Sequence, residues 1–341
     1  MMKNLRNMKI KISNKWIGDN SPVFVTAEVG INHNGSLKLA KKLVKSAKDS
    51  GADAIKFQTF KASDIATQKS KFYKIFKKVE LDESDYGEIS DYAKSNSIIF
   101  FSTPVNESAV DILLKLKVPA FKIGSGNLTN IPVIKYAASK RKPMIVSTGM
   151  SNIDEINLAI NSIKKQNNNK IILMHSVSSY PTPTNETNLS VIKNLEKKFP
   201  YPIGYSDNGS DSLVPIASVM MGAKIIEKHF TINKKLKGSD HFMSADPTEL
   251  KQIVKNVRFA ETMFGDGIKK CQPSELENRT QARRSITSKI TIDKGLKITQ
   301  DMLTFKRPAT GIEPRYYKKI IGKKVKKKIH SDHPIKWNDL L

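Results

Sequence analysis

Cysteine is nearly absent from this chain. Cys271 is the only one in 341 residues, so neither an internal disulfide nor a thiolate metal cluster can be built. Long apolar runs are missing too. No stretch reaches the length a bilayer requires, and the amino-terminal MMKNLRNMKIKISNKW lacks the apolar centre of a secretory signal. Both absences predict a soluble, cytoplasmic protein with no membrane partner. Negative charge is scarce, with 32 Asp plus Glu against 58 Lys plus Arg, a formal net charge of +26. A field of that sign attracts phosphates, carboxylates and nucleic acid alike. Many of the lysines sit beside Asn and Ile, and most of the excess reads as solvated surface. The basic run from Arg315 to Lys328 has no helix-turn-helix, zinc or RNA-binding aromatic pattern around it, so no nucleic-acid partner is expected.

What is present is a repeated unit of short apolar strand, polar turn and amphipathic helix. Strand candidates are Pro22 to Val29, Ala52 to Phe57, Ile98 to Phe101, Ala120 to Ile123, Pro143 to Val146 and Ile171 to Met174, followed by a segment ending at Gly204 and by Ala223 to Ile226. Eight such units, spaced by roughly 25 to 40 residues, predict a closed (β/α)8 barrel, a TIM barrel of the α/β class, rather than an open doubly wound sheet. After a helix from Pro247 to Phe264 the character changes to short β-type pieces with turns. We therefore expect a barrel domain over residues 1–272, a linker over 273–283 and a small β-rich domain over 284–341.

The polar residues fall where a barrel keeps its chemistry. Glu28, Lys56, Thr103, Lys122, Thr148, His175, Ser206, Glu227 and His229 all lie at or just beyond predicted strand ends, and Glu227 and His229 share a face because strand periodicity is two. Lys56 and Lys122 stand in otherwise apolar strands. Each must reach solvent or be paired, and two lysines at one mouth suit a small, multiply charged anion.

These residues also carry a resemblance. AEVGINHNG (Ala27 to Gly35), KFQTF (Lys56 to Phe60), FSTP (Phe101 to Pro104), FKIGSGNLTN (Phe121 to Asn130), IGYSDN (Ile203 to Asn208), IIEKHFT (Ile225 to Thr231) and GSDHFMSADP (Gly238 to Pro247) resemble, in order, the sialic acid synthase family. ARRSI (Ala282 to Ile286) and KRPATGIEP (Lys306 to Pro314) resemble its C-terminal antifreeze-like (SAF) domain. The resemblance implies condensation of phosphoenolpyruvate with the open-chain aldehyde of an N-acylated amino sugar, giving phosphate and a nine-carbon 2-keto acid. It further implies a divalent metal, Mn²⁺ or Mg²⁺, and a domain-swapped homodimer. By similarity Lys56, Thr103, Lys122, Ser125 and Ser206 bind phosphoenolpyruvate, with Glu28, Lys56 and Lys122 as catalytic groups. Gln58, Tyr180, Glu227 and Asp240 bind the sugar, and Arg307 reaches its acyl group from the other subunit.

One departure stands out. The family commonly supplies two histidine metal ligands, but here the turn reads Tyr205, Ser206, Asp207, Asn208, and only His229 remains. Asn208 then becomes the second ligand candidate, in a more oxygen-rich site, with His175, His241 or water as alternatives. The sugar stays open between N-acetylmannosamine and a 2,4-diacetamido-6-deoxy hexose, leading to sialic or legionaminic acid, with a pseudaminate-type isomer as the alternative. Two other classes also remain: a barrel lyase with a Schiff-base lysine, and a catalytically weakened relative that only binds carbohydrate.

Overall fold

Alternation along each strand places apolar side chains outward under the helices and a separate set inward. The computed structural model describes residues 8–341, with eight parallel strands closed into a barrel: β3 (Phe24–Gly30), β4 (Ala54–Thr59), β5 (Ile99–Pro104), β6 (Phe121–Ile123), β7 (Met144–Ser147), β8 (Ile171–Ser176), β9 (Ile203–Asp207) and β10 (Ile225–His229), the last pairing back onto β3. The outward residues Val25, Ile55, Phe57, Phe121, Val146, Leu173 and Ile226 join the core shared with the helices. The inward residues Phe24, Ala54, Phe101, Ile145, Ile172 and Ile225 fill the lower half of the barrel. One residue further up each inward row the chemistry turns polar: Glu28, Lys56, Thr103, Lys122, Ser147, Ser206, Glu227. The mouth at the strand C-termini is therefore built by the same alternation that builds the floor.

A feature absent from the sequence reading closes the other end. An antiparallel hairpin, β1 (Ile10–Ile12) and β2 (Lys15–Ile17), inserts Ile10, Ile12 and Ile17 against the inward floor residues. Each such buried isoleucine contributes roughly 1.5–3 kcal/mol. Asp53 ties the hairpin down: it pairs with Lys15, accepts from the Val25 N–H at 2.7 Å and from Arg258 at 3.0 Å.

Helices follow the strands: α1 (Leu37–Asp49) after β3, then α2 (Ala62–Ile65), α3 (Lys71–Val79) and α4 (Glu83–Ser95) between β4 and β5. The remaining barrel helices are α5 (Glu107–Lys115), α6 (Ile131–Ser139), α7 (Ile153–Lys164), α8 (Ser190–Lys198), α9 (Leu213–Met220) and α10 (Pro247–Thr262). Asp246 caps α10: its carboxylate accepts from Glu249 N at 2.9 Å, Glu249 returns the bond, and Pro247 opens the helix. The stretch between β4 and α4 thus carries two extra short helices, α2 and α3.

The chain separates into two compact units at Phe264 and Gly265. The second contains α11 (Leu276–Ala282), α12 (Tyr317–Ile320) and one short antiparallel pair, β11 (Ser285–Ser288) with β12 (Leu303–Lys306). Its core is dominated by isoleucine, including Ile286, Ile292, Ile298, Ile312, Ile329 and Ile335.

Candidate active site

The barrel mouth opens into a cavity of about 900 Å³ lined by Glu28, Lys56, Lys122, Glu227 and His229 on its floor. Four buried charges form one network there. Lys56 Nζ lies 3.1 Å from Glu28 Oε2 and 3.1 Å from Glu227 Oε1, while Lys122 Nζ lies 2.7 Å from that same Glu227 oxygen. Ser206 Oγ adds a hydrogen bond to it at 3.1 Å, and Thr103 Oγ1 sits 3.4 Å from Lys56. One carboxylate oxygen thus occupies the point on which two ammonium groups converge. Burial opposes every charge in the set. For Glu28 it prevails and pushes the carboxyl up to about 7, against the attraction of Lys56. Lys122 is likewise brought down to about 8 by burial, with Glu227 opposing. Burial would lower Lys56 and raise Glu227, but their partners outweigh it: Glu227 and Glu28 hold Lys56 above the ordinary lysine range, and Lys122 and Lys56 hold Glu227 down to about 2.

Around the network stand small hydroxyls. Gly149 N donates to Ser125 Oγ at 3.0 Å, and a Cβ at Gly149 would lie 2.4 Å from Ser178 Oγ and 2.8 Å from Ser125 Oγ. Only a glycine lets those two serines approach. Ser147 and Ser178 have buried hydroxyls with no hydrogen-bond partner among the described residues, and both line the cavity. Neither was anticipated from the sequence, although counting alternation from Ile145 would have found Ser147. Gln58 Nε2 donates to Glu28 Oε1 at 3.3 Å, and the Tyr86 hydroxyl holds the Gln58 carbonyl at 2.7 Å. Tyr180 and Asp240 line the rim. Phe72, Ile75 and Phe76 of α3, with Ile65, give one wall an apolar surface. Arg307 stands exposed just after β12 in the second unit.

Two residues expected at the mouth face away from it. Thr148 donates to the Met174 carbonyl at 3.0 Å, and His175 is bonded through Nε2 to Thr187 O at 2.8 Å and packs on Tyr205. Strand alternation sends both to the outer face, and Ser147 and Ser176 take the inward places. His241 has both ring nitrogens engaged, with Thr231 Oγ1 at 2.7 Å and Asn34 Oδ1 at 3.3 Å. Neither His175 nor His241 lines the cavity that His229 and Asn208 share, which argues against both as alternative metal ligands.

His229 differs from them. Its Nδ1 is buried without a hydrogen bond among the described residues, 4.0 Å from Asp240 Oδ2, and burial holds the ring below its ordinary pKa, favouring the neutral form that can ligate. Asn208 lines the same cavity. Its Nδ2 donates to Ser176 Oγ at 3.2 Å and Val177 O at 2.7 Å, so its Oδ1 is the atom left for another partner. Among the described residues no group of three or more His, Cys, Asp or Glu could hold a metal ion. A neutral imidazole and an amide oxygen fit a divalent ion that keeps several waters, and do not fit a tetrahedral zinc cage.

Comparison with known proteins agrees with a barrel followed by a small second domain. The NeuB family model matches residues 43–269, and the SAF domain model matches residues 283–341. The chain belongs to the NeuB family. It is 40% identical over 341 residues to the N,N'-diacetyllegionaminic acid synthase of Legionella pneumophila, covering 95% of this chain and 96% of that protein. The human N-acetylneuraminate-9-phosphate synthase is 35% identical over 336 residues, covering 94% and 93%. The crystal structure of the N-acetylneuraminic acid synthetase from Leptospira borgpetersenii superposes with a TM-score of 0.77 at 34% identity, over 80% of this chain and 95% of that one. As a NeuB-family enzyme the protein carries out a carbon–carbon bond-forming, phosphoenolpyruvate-dependent condensation that yields a nine-carbon keto sugar acid.

Proposed function

We propose that the protein condenses phosphoenolpyruvate with a 2,4-diacetamido-6-deoxy hexose, giving a legionaminic-type 2-keto acid and phosphate. The observation that carries the reaction is the Glu227 oxygen shared by Lys56 and Lys122. It marks a buried point on which two ammonium groups converge, beside serine hydroxyls without partners among the described residues, which suits the carboxylate and phosphate of phosphoenolpyruvate. The sugar assignment rests on the apolar wall of Ile65, Phe72, Ile75 and Phe76, which suits a C6 methyl and acetamido methyls better than a hydroxymethyl. The higher identity to the legionaminic acid synthase points the same way.

In this reading Lys56, Lys122, Thr103, Ser125 and Ser206 hold phosphoenolpyruvate, and Ser147 and Ser178 add hydroxyls to its phosphate. Gln58, Tyr180, Glu227 and Asp240 orient the sugar. C3 of the enol attacks the aldehyde carbon, and positive character develops at C2. Glu28, pushed up to about 7, takes the proton from the water that adds at C2. The C2–O bond to phosphate then breaks as the new C2 hydroxyl loses its proton, leaving the 2-keto acid; of the two protons from water, one ends on the former aldehyde oxygen, now a hydroxyl, and the other on the released phosphate. His229 and Asn208 are the residues that would hold a divalent ion, Mn²⁺ or Mg²⁺. Such an ion, when bound, polarises the aldehyde oxygen. We carry the domain-swapped homodimer as part of the proposal, with Arg307 of one subunit serving the sugar held by the other.

The test is incubation with phosphoenolpyruvate, Mn²⁺ and each of three sugars, following phosphate release and product mass. The 2,4-diacetamido-6-deoxy hexose should turn over fastest. Faster turnover of N-acetylmannosamine or of the pseudaminate precursor would overturn the sugar assignment. No phosphate with any sugar would sink the synthase reading and leave the carbohydrate-binding relative, while borohydride trapping of Lys56 or Lys122 would favour a Schiff-base lyase.

A further inference from the structure

Between Glu227 and His229, which face the cavity, stands a lysine that faces the other way. Lys228 has a side chain only 2% exposed, on the outer face of β10. Its ammonium lies 2.5 Å from Asp207 Oδ2 and 2.5 Å from the Gly209 carbonyl. Asp207 Oδ1 in turn accepts from Gly209 N at 3.0 Å. The residues on both sides of Asn208 are therefore clasped by one buried ion pair. Asn208 itself is held from the β8 side, its own carbonyl accepting from Thr182 N at 3.1 Å and its amide nitrogen bonded to Val177 O and Ser176 Oγ. An aliphatic side chain could fill the outer face of β10 without the desolvation cost of a buried ion pair. What the pair adds is directional: it fixes the backbone of the turn at Gly209 through both N–H and C=O.

We propose that Lys228 is a positioning residue that acts through Asp207 and Gly209 to aim the Asn208 carboxamide oxygen into the cavity that His229 also lines. The role is distinct from that of Lys56 and Lys122, since Lys228 meets neither substrate. It rests on the reading of Asn208 as a donor to a divalent cation. Oriented outer-shell partners of this kind typically change metal affinity by 10–100-fold when removed.

The experiment is titration of the full-length protein with Mn²⁺ alone, reading free Mn²⁺ by electron paramagnetic resonance, together with phosphoenolpyruvate binding by calorimetry and melting temperature. Lys228→Met should weaken Mn²⁺ binding by about tenfold or more, while phosphoenolpyruvate affinity changes less than twofold. A purely structural role would lower the melting temperature and leave the Mn²⁺ affinity of the folded protein unmoved, and that result overturns the proposal. If Lys228→Met does not fold, Asp207→Asn carries the test, because it keeps an acceptor for Gly209 N but loses the charge that holds Lys228. Asn208→Ala separates the two layers. Unchanged Mn²⁺ affinity in Asn208→Ala overturns the metal reading itself, whereas a loss there with none in the folded Lys228 and Asp207 variants overturns only the positioning role.

Discussion

Lys122 and His33 are both buried titratable side chains, and they lead to opposite expectations. Burial brings Lys122 down to about 8, so in the free enzyme it loses its proton as pH rises through that value. If the cation is the form that binds phosphoenolpyruvate, as proposed, kcat/KM for phosphoenolpyruvate should fall above about pH 8. Lys122→Arg should move that limb upward, and Lys122→Met should lower kcat/KM by about 100-fold, near the 2–5 kcal/mol of a truncated buried charge pair. Stability should suffer less than in Lys56→Met, because Glu227 keeps Lys56 at 3.1 Å while, among the described residues, Glu28 has no other cation as close. His33 stands outside the cavity lining: it packs on Phe57, accepts from Gly35 N, and is lowered by burial to about 4. A histidine depressed below its unfolded value of 6.5 contributes stability that is complete above pH 6.5 and is lost as pH falls towards 4. The shift corresponds to about 3 kcal/mol across that window. Urea unfolding at pH 7 and pH 4.5 should show that loss, and His33→Phe should flatten it.

At the scale of elements, α3 is the piece whose role was least visible beforehand. Its apolar side chains Phe72 and Ile75 are exposed and face the cavity rather than the core, so their pattern carries no signal of burial. Replacing Ile75 with Ser should raise KM for a 6-deoxy sugar several-fold and leave KM for phosphoenolpyruvate unchanged. Equal KM changes for 6-deoxy and 6-hydroxy sugars would remove α3 from the specificity argument. The barrel strands were legible because their inward rows switch from apolar to charged at a fixed height, which periodicity two exposes. Thr148 and His175 were misplaced for the complementary reason, since a shift of one residue exchanges the faces of a strand. The β1–β2 hairpin escaped notice because its strands, Ile10–Ile12 and Lys15–Ile17, are only three residues each, too short for alternation to stand out from chance. Ser178 lies in a loop after β8, where no periodicity applies.

The molecule as a whole is two units joined near Phe264, and only the first contains the charge network, so the contribution of the second must be tested by mixing. Arg307 is exposed and makes no ion pair or hydrogen bond among the described residues, which leaves its guanidinium available to a ligand. If it serves the barrel of a second copy, a site with Arg307 removed and a site with Glu28 removed can complement each other. Arg307→Ala and Glu28→Gln homodimers should each be nearly inactive. In a swapped dimer the mixed species holds one barrel with an intact Glu28 covered by an intact Arg307, and one barrel lacking both. Co-refolding equal amounts yields about half mixed dimers with one good site in two, so activity should recover to about a quarter of wild type. An arginine acting on its own barrel gives every site one lesion, and mixing then restores nothing. A size measurement on the mixed sample completes the test, because recovery must track the dimer fraction, and activity that persists in a monomer would place Arg307 on its own barrel.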